Sequence, residues 1–280
     1  MTTISQTLNS LQNQCGLIPF ITAGIPNLAS TENALKLLDN SGADIIEIGL
    51  PYSDPLADGP IIQQASTKAL QQGVTFDKLL HLLNNIHDKI KAPLILFTYY
   101  NPILARGIFR FLQDIADSGI KGLIIPDLPL EEADYVINVC SQLSLELILL
   151  VTPTSSVDRV NSIISKSQGL IYVVSSTGVT GLRENVKLEM KDFVRNIKSK
   201  TDKLLILGFG ISQLRHVEQV ARWDIDGVVI GSAFVKCLSD ENHQEGLAKL
   251  EKFCCSVKET LIHRGISQLP PGEFESPLPP

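Results

Sequence analysis

The stretch Asp44-Ile-Ile-Glu-Ile-Gly-Leu-Pro51 is a short apolar run with one carboxylate, Glu47, at its centre. Ser53-Asp-Pro-Leu-Ala-Asp-Gly-Pro60 follows at once with a second, Asp58. A run flanked by Ile45, Ile46 and Ile48 reads as a strand covered on both faces, the habit of parallel sheets. An ionised Glu47 there would lack water, so its pKa is expected to rise into the range where a carboxyl exchanges protons near neutral pH. The plainer reading is a core glutamate satisfied by a backbone donor. Asp58-Gly-Pro60 is first of all a turn and helix-start signal.

Similar apolar runs recur at Leu17 to Ala23, Leu94 to Tyr100, Gly122 to Leu128, Glu146 to Thr152, Leu170 to Ser175, Leu204 to Gly208 and Gly227 to Gly231, making eight with Asp44 to Leu50. Amphipathic stretches at helical spacing separate them: Ser30 to Leu38, Phe76 to Ile90, Ile108 to Ala116, Glu131 to Cys140, Val157 to Ile164, Leu188 to Ile197 and Val217 to Ala221. This alternation predicts a (β/α)8 TIM barrel of the α/β class, for which about 250 residues is the usual size. An open doubly wound sheet is the alternative. It is disfavoured because the first run ends in Thr22-Ala-Gly-Ile-Pro26, a turn, instead of the glycine pattern of a dinucleotide fold. The segment before Cys15 reads as a short N-terminal helix closing the bottom of the barrel. Residues 1–267 are expected to form one barrel domain, and the proline-rich segment 268–280 a disordered C-terminal tail.

The chain has 280 residues, 44% of them hydrophobic, enough for a large core. A net charge of −6 without a basic cluster argues against nucleic acid or an anionic membrane as the main partner. Cys15, Cys140, Cys237, Cys254 and Cys255 are odd in number and lack metal-ligand spacing, so they are expected to be reduced packing residues. No run is long enough to span a bilayer, and Met1-Thr-Thr-Ile-Ser-Gln6 lacks the features of a secretory signal. These features predict a reducing, soluble compartment.

In a barrel, functional groups gather at the C-terminal strand ends. The resulting candidates are Phe20 and Thr22, Glu47 and Gly49, Thr98 to Asn101, Pro126 and Asp127, Thr152, Tyr172 to Ser176, Gly208 to Gly210, and Gly231 with Ser232. Gly208-Phe-Gly-Ile-Ser212 and Gly231-Ser-Ala233 follow the last two strands and lead into helices, where glycines let backbone N–H groups approach a phosphate. A phosphorylated substrate is the inference; tight turns alone are the bland alternative. Ser175 to Asn185, after the sixth run, is a candidate lid carrying Thr180 and Gly181, or a merely solvated loop. None of the eight runs contains a lysine for Schiff-base chemistry, and His81, His87, His216, His243 and His263 all lie in helical patterns. General acid/base catalysis by carboxylates, without metal or cofactor, is the surviving class.

The motifs Pro19-Phe-Ile-Thr-Ala-Gly24, Glu47 to Pro60, Tyr99-Tyr-Asn-Pro102, Pro126-Asp-Leu-Pro129, Thr177-Gly-Val-Thr-Gly181 and Gly208-Phe-Gly-Ile211, in this order, resemble the tryptophan synthase alpha family from about Cys15 to Gly265. The resemblance implies a lyase that cleaves indole-3-glycerol phosphate to indole and glyceraldehyde 3-phosphate. It implies that Glu47 moves protons on the glycerol hydroxyl and on indole C3, and that Asp58 binds the indole N–H. Phe20, Ile62, Tyr99 and Ile124 would form the indole wall. Tyr172 corresponds to the family's pocket tyrosine and Thr180 to its lid threonine beside Asp58. Gly181, Phe209, Gly210, Gly231 and Ser232 correspond to its phosphate and pocket residues. Asp58, on a polar loop, is expected to stay ionised while Glu47 exchanges a proton.

The same resemblance implies an α2β2 complex in which indole passes internally to a beta chain holding pyridoxal phosphate, with Pro51 to Pro60 touching that partner. It implies a bacterial cytoplasm or a plastid stroma as the location. Two other readings stand beside it: a phosphate-binding barrel acting on another sugar phosphate, which has no need of Asp58, and a regulatory barrel with a vestigial pocket.

Overall fold

The apolar runs pair in sequence order into a closed parallel barrel: β1 (Gly16–Thr22), β2 (Ile46–Gly49), β3 (Leu94–Phe97), β4 (Ile120–Ile124), β5 (Glu146–Val151), β6 (Leu170–Val174), β7 (Leu204–Gly208) and β8 (Gly227–Ile230), with β8 returning to β1. The computed structural model describes residues 3–12, 14–174, 184–208 and 213–267. The expected tail at 268–280 lies outside the described residues. Helix α1 (Ile4–Asn9) precedes the barrel. Around it run α2 (Leu28–Asn40), α3 (Pro60–Gln71), α4 (Phe76–Ile86), α5 (Tyr100–Arg106), α6 (Ile108–Asp117), α7 (Ala133–Gln142), α8 (Val157–Lys166), α9 (Glu184–Lys198), α10 (Leu214–Val220), α11 (Ser232–Leu238) and α12 (His243–Ser267).

Each strand is covered on both faces, as the isoleucine-rich runs require. Outward residues such as Ile21, Ile46 and Ile48 are fully buried under the helices, and inward ones fill the barrel. The core is continuous from α1 to α12, and Cys15, Cys140 and Cys254 belong to it as free thiols.

Strand ends shift by a residue or two from the expected runs, and two strands shift further. β3 ends at Phe97, so that Tyr100 opens α5 instead of ending a strand. β4 begins at Ile120 and therefore contains Lys121, which corrects the expectation of lysine-free strands. A side chain on Gly122 would meet Ile95 and Ile4 inside the barrel, so the preceding Lys121 projects to the opposite, outer face, away from the pocket.

The bottom of the barrel is stoppered by α1, as expected. Thr3 and Gln6 form a reciprocal capping box, with Gln6 N–H donating to Thr3 Oγ1 at 3.1 Å and Thr3 N–H to Gln6 Oε1 at 3.0 Å. Ile4 and Leu8 enter the core from below. Glycines make room for them: a Cβ on Gly16 would stand 2.6 Å from Leu8 Cδ2, and one on Gly122 would stand 3.0 Å from Ile4 Cγ1. Glu146, the first residue of β5, accepts the Ser5 N–H at 3.1 Å and the Ser5 hydroxyl, placing a carboxylate at the positive end of α1.

Two aspartates tie the lower rim together. Asp44 accepts Leu17 N–H at 2.7 Å and pairs with Lys258 of α12 at 2.6 Å; Asp226 accepts Leu205 N–H at 2.7 Å and pairs with Lys198 of α9 at 2.8 Å. Asp44 thus belongs to the rim and not to β2.

Candidate active site

Glu47 is the second residue of β2 and pairs in register with Phe20 on β1 and Ile95 on β3. Its neighbours along the strand, Ile46 and Ile48, are the outward residues, so Glu47 projects into the barrel. It is 1% exposed, and its Oε2 has no hydrogen-bond partner among the described residues. Burial, reinforced by the negative charge of Asp58, raises its pKa to about 8. At pH 7 the group is therefore mostly protonated, a proton donor held in an apolar wall.

Asp58 arrives from the loop between β2 and α3. The turn signal is realised: Gly59 caps α3, and Pro60 occupies its first turn, where the missing N–H costs nothing. Burial lifts the Asp58 pKa to about 6, against the opposing pull of a hydrogen bond from Tyr99. Asp58 thus remains ionised at pH 7 while Glu47 does not, which separates the two carboxyl groups as acid/base division of labour needs.

Tyr99 carries a role that the sequence did not disclose. Its hydroxyl donates to Asp58 Oδ2 at 3.0 Å and accepts the Ala57 N–H at 3.0 Å. Its ring stacks on Tyr52 with centroids 5.0 Å apart and meets the edge of Phe97 at 6.0 Å. Both ends of the 51–59 loop therefore grip one aromatic side chain. The two tyrosines are quoted in the motifs, but their contact depends on the path of the loop and leaves no local signature.

The other expected positions gather here in part. Phe20 packs edge-on against Phe97, with centroids 5.7 Å apart. A Cβ on Gly231 would lie 3.4 Å from both Phe20 and Ile62, so β1, β8 and α3 meet at one spot. Tyr172 projects across the barrel, close enough to Glu47 and Asp58 for their charges to raise its pKa further after burial has done most of it. A Cβ on Gly208 would stand 1.9 Å from the Tyr172 hydroxyl oxygen, so only glycine fits opposite that ring. Ile124 is buried at the upper end of β4, and Ser232 opens α11 directly after Gly231. Thr180, Gly181, Phe209 and Gly210 lie outside the described residues.

Two strand-end residues point elsewhere. Asp127 accepts the Tyr100 N–H at 2.8 Å and so holds the start of α5, and Thr152 bonds Thr154 and Ser155 within its own loop. Among the described residues no group of three or more His, Cys, Asp and Glu side chains is placed to hold a metal ion, and no helix is long and apolar enough to cross a membrane.

Comparison with known proteins agrees with the barrel fold. The family model described as tryptophan synthase alpha chain matches residues 7–262. The tryptophan synthase alpha chain of Pyropia yezoensis is 52% identical over 94% of this chain and 100% of its own length, and that of Acaryochloris marina is 49% identical over 94% and 99%. Among solved structures, the tryptophan synthase alpha subunit of Legionella pneumophila superposes with a TM-score of 0.86 at 33% identity, covering 94% of this chain and 99% of that one. A Mycobacterium tuberculosis tryptophan synthase chain gives 0.83 at 32%, covering 93% and 99%. Sequence and barrel thus converge, and the chain belongs to the tryptophan synthase alpha chain family.

Proposed function

We propose that Glu47 and Asp58 carry out the retro-aldol cleavage of indole-3-glycerol phosphate to indole and glyceraldehyde 3-phosphate in this chain. Family membership makes the protein a lyase of tryptophan biosynthesis acting on that substrate. The observation that supports the residue assignment is the pairing of a buried, protonated Glu47 having an unengaged Oε2 with an ionised Asp58 held by Tyr99.

The chemistry balances with one shuttling proton. Glu47 gives its proton to indole C3, and positive charge develops on the ring as the nitrogen becomes iminium-like. Asp58 accepts the N–H hydrogen bond, which strengthens as that charge grows. Glu47, now a carboxylate, removes the proton from the hydroxyl on C1 of the glycerol chain. The C1–C3 bond breaks, its electron pair restores the aromatic indole, and C1 becomes the aldehyde carbon. Glu47 ends protonated, as it began.

Phe20, Ile62, Tyr99 and Ile124 supply the apolar wall for the ring, with Tyr172 across from them. Gly231 and Ser232 bind the phosphate; the family resemblance assigns Gly181, Phe209 and Gly210 to the same group and makes Thr180 the counterpart of its lid threonine. The chain uses no cofactor of its own. Its partner is a beta chain that holds pyridoxal phosphate, in an α2β2 assembly. Leu56, 89% exposed at the tip of the loop that carries Asp58, supports docking of that partner on this face. The location is a bacterial cytoplasm or a plastid stroma.

The deciding experiment measures indole release from indole-3-glycerol phosphate by the purified chain, alone and with a tryptophan synthase beta chain. Slow release that rises with the partner is expected. No release in either mixture would overturn the reading in favour of another sugar phosphate.

A further inference from the structure

β1 lies between β8 and β2 in the closed barrel. On the reading above, the substrate phosphate sits at Gly231 and Ser232, beyond β8, and the carbon that reacts sits at Glu47 on β2. The three-carbon chain joining them therefore crosses the upper end of β1. Two β1 residues face it. Phe20 pairs with Glu47, and its ring closes against Gly49 on one side and Gly231 on the other. Thr22, two residues further up and on the same face, pairs with Gly49.

Thr22 is 1% exposed, and its Oγ1 has no hydrogen-bond partner among the described residues. The next threonine along the chain makes the contrast: Thr31 Oγ1 accepts the Gly24 N–H at 2.8 Å and donates to Asn27 O at 3.1 Å. A buried hydroxyl left unsatisfied lowers stability, and valine would fill the same volume without that cost. The hydroxyl thus has a donor and an acceptor to offer to whatever lies over β1.

We propose that Thr22 Oγ1 hydrogen-bonds the C2 hydroxyl of the substrate's glycerol chain, a binding contact that anchors the chain between its phosphate and Glu47. The inference rests on the functional reading above. The C2 hydroxyl makes and breaks no bond in the cleavage, so its contact contributes binding that is equal in the ground and transition states and appears chiefly in KM.

The test compares wild type, Thr22→Val and Thr22→Ser on indole-3-glycerol phosphate and on its analogue lacking the C2 hydroxyl, with the beta chain present, alongside thermal melts. Thr22→Val is expected to raise KM roughly tenfold with little change in kcat, and to melt at or above the wild-type temperature. Thr22→Ser should restore KM, and on the deoxy analogue Thr22→Val and wild type should be equal. An unchanged KM in Thr22→Val, or the same deficit on both substrates, would overturn the assignment. Should Thr22→Val fold poorly, wild type alone still decides: failure to discriminate against the deoxy analogue sinks the proposal. Absence of indole release by wild type would overturn the functional reading and this inference with it.

Discussion

Tyr99 donates its hydroxyl hydrogen to Asp58 Oδ2 at 3.0 Å while the same oxygen accepts the N–H of Ala57 at 3.0 Å. One side chain from the end of β3 therefore fixes both the carboxylate and the backbone that carries it. Tyr99→Phe removes both bonds and keeps the ring. A charged acceptor losing such a bond costs about 1.5–3 kcal/mol, so kcat/KM at neutral pH should fall roughly tenfold to a hundredfold. Because the bond pulls the Asp58 pKa down, its loss should also move the acid limb of the pH profile upward. A variant with the wild-type rate and the wild-type acid limb would show that Tyr99 is wall alone.

The pH dependence of kcat/KM should be bell-shaped. Activity needs Asp58 ionised, with a pKa raised to about 6, and Glu47 protonated, with a pKa raised to about 8. The rate should fall below the first value and above the second. Asp58→Asn should lose several orders of magnitude across the range and show no acid limb from this group. A profile flat from pH 5 to pH 9 would contradict the assignment of both groups.

Burial of Glu47 costs stability once the group ionises. Its folded pKa of about 8 lies above the ordinary 4.5, so the folded protein holds a proton that the unfolded chain releases. Stability is therefore fullest below about 4.5 and falls as pH rises to about 8, by an amount on the order of a few kcal/mol. Glu47→Gln should abolish cleavage and remove this loss, melting several degrees above wild type at pH 8 and close to it at pH 5. Thermal melts at the two pH values test the point; an equal difference at both would mean that ionisation of Glu47 is not its source.

Gly208→Ala should disable the pocket from the far side. The added methyl would stand 1.9 Å from the Tyr172 hydroxyl oxygen and 2.4 Å from its ring, so the buried tyrosine must shift from its place in the pocket. Overpacking of this kind typically costs about 1–3 kcal/mol, so the melting temperature should drop by several degrees and kcat/KM by more than tenfold. Indole release and a melt on the same sample check both, and a variant with wild-type kinetics would place Tyr172 outside the working pocket.

Glu146→Ala should show the opposite division of effects. It removes the acceptor of the Ser5 N–H at the bottom of the barrel, far from Glu47, so about 1–2 kcal/mol of stability should be lost with kcat and KM unchanged. Altered kinetics would mean that the seating of α1 reaches the pocket.

The barrel was legible because isoleucine-rich runs and amphipathic stretches alternate over nearly the whole chain, and the position of Glu47 inside such a run was enough to forecast its raised pKa. Boundaries were less legible where a distant residue sets them. Tyr99 and Tyr100 look like the continuation of β3, yet α5 begins at Tyr100 because Asp127, from the loop after β4, accepts its N–H. β4 starts two residues early because Gly119, with φ +87°, turns the chain sharply and lets Ile120 enter the sheet despite the charge of Lys121. The half-burial of Asp58 was hidden for the same kind of reason. Its loop is polar in sequence, and the partner that holds it inward, the Tyr99 hydroxyl, comes from 41 residues further along the chain.

The helix seated beneath the barrel gives the cylinder a closed end and an open one. With Ile4 and Leu8 pressed into the spaces left by Gly122 and Gly16, the lower end is closed to a small apolar product among the described residues. On the function proposed above, indole formed beside Glu47 would leave by the rim that carries Leu56, and whatever surface sits on that rim would be the first thing it meets. Sealing one end of the cylinder turns a cavity into a nozzle, and custody of the product passes to whichever molecule covers its mouth.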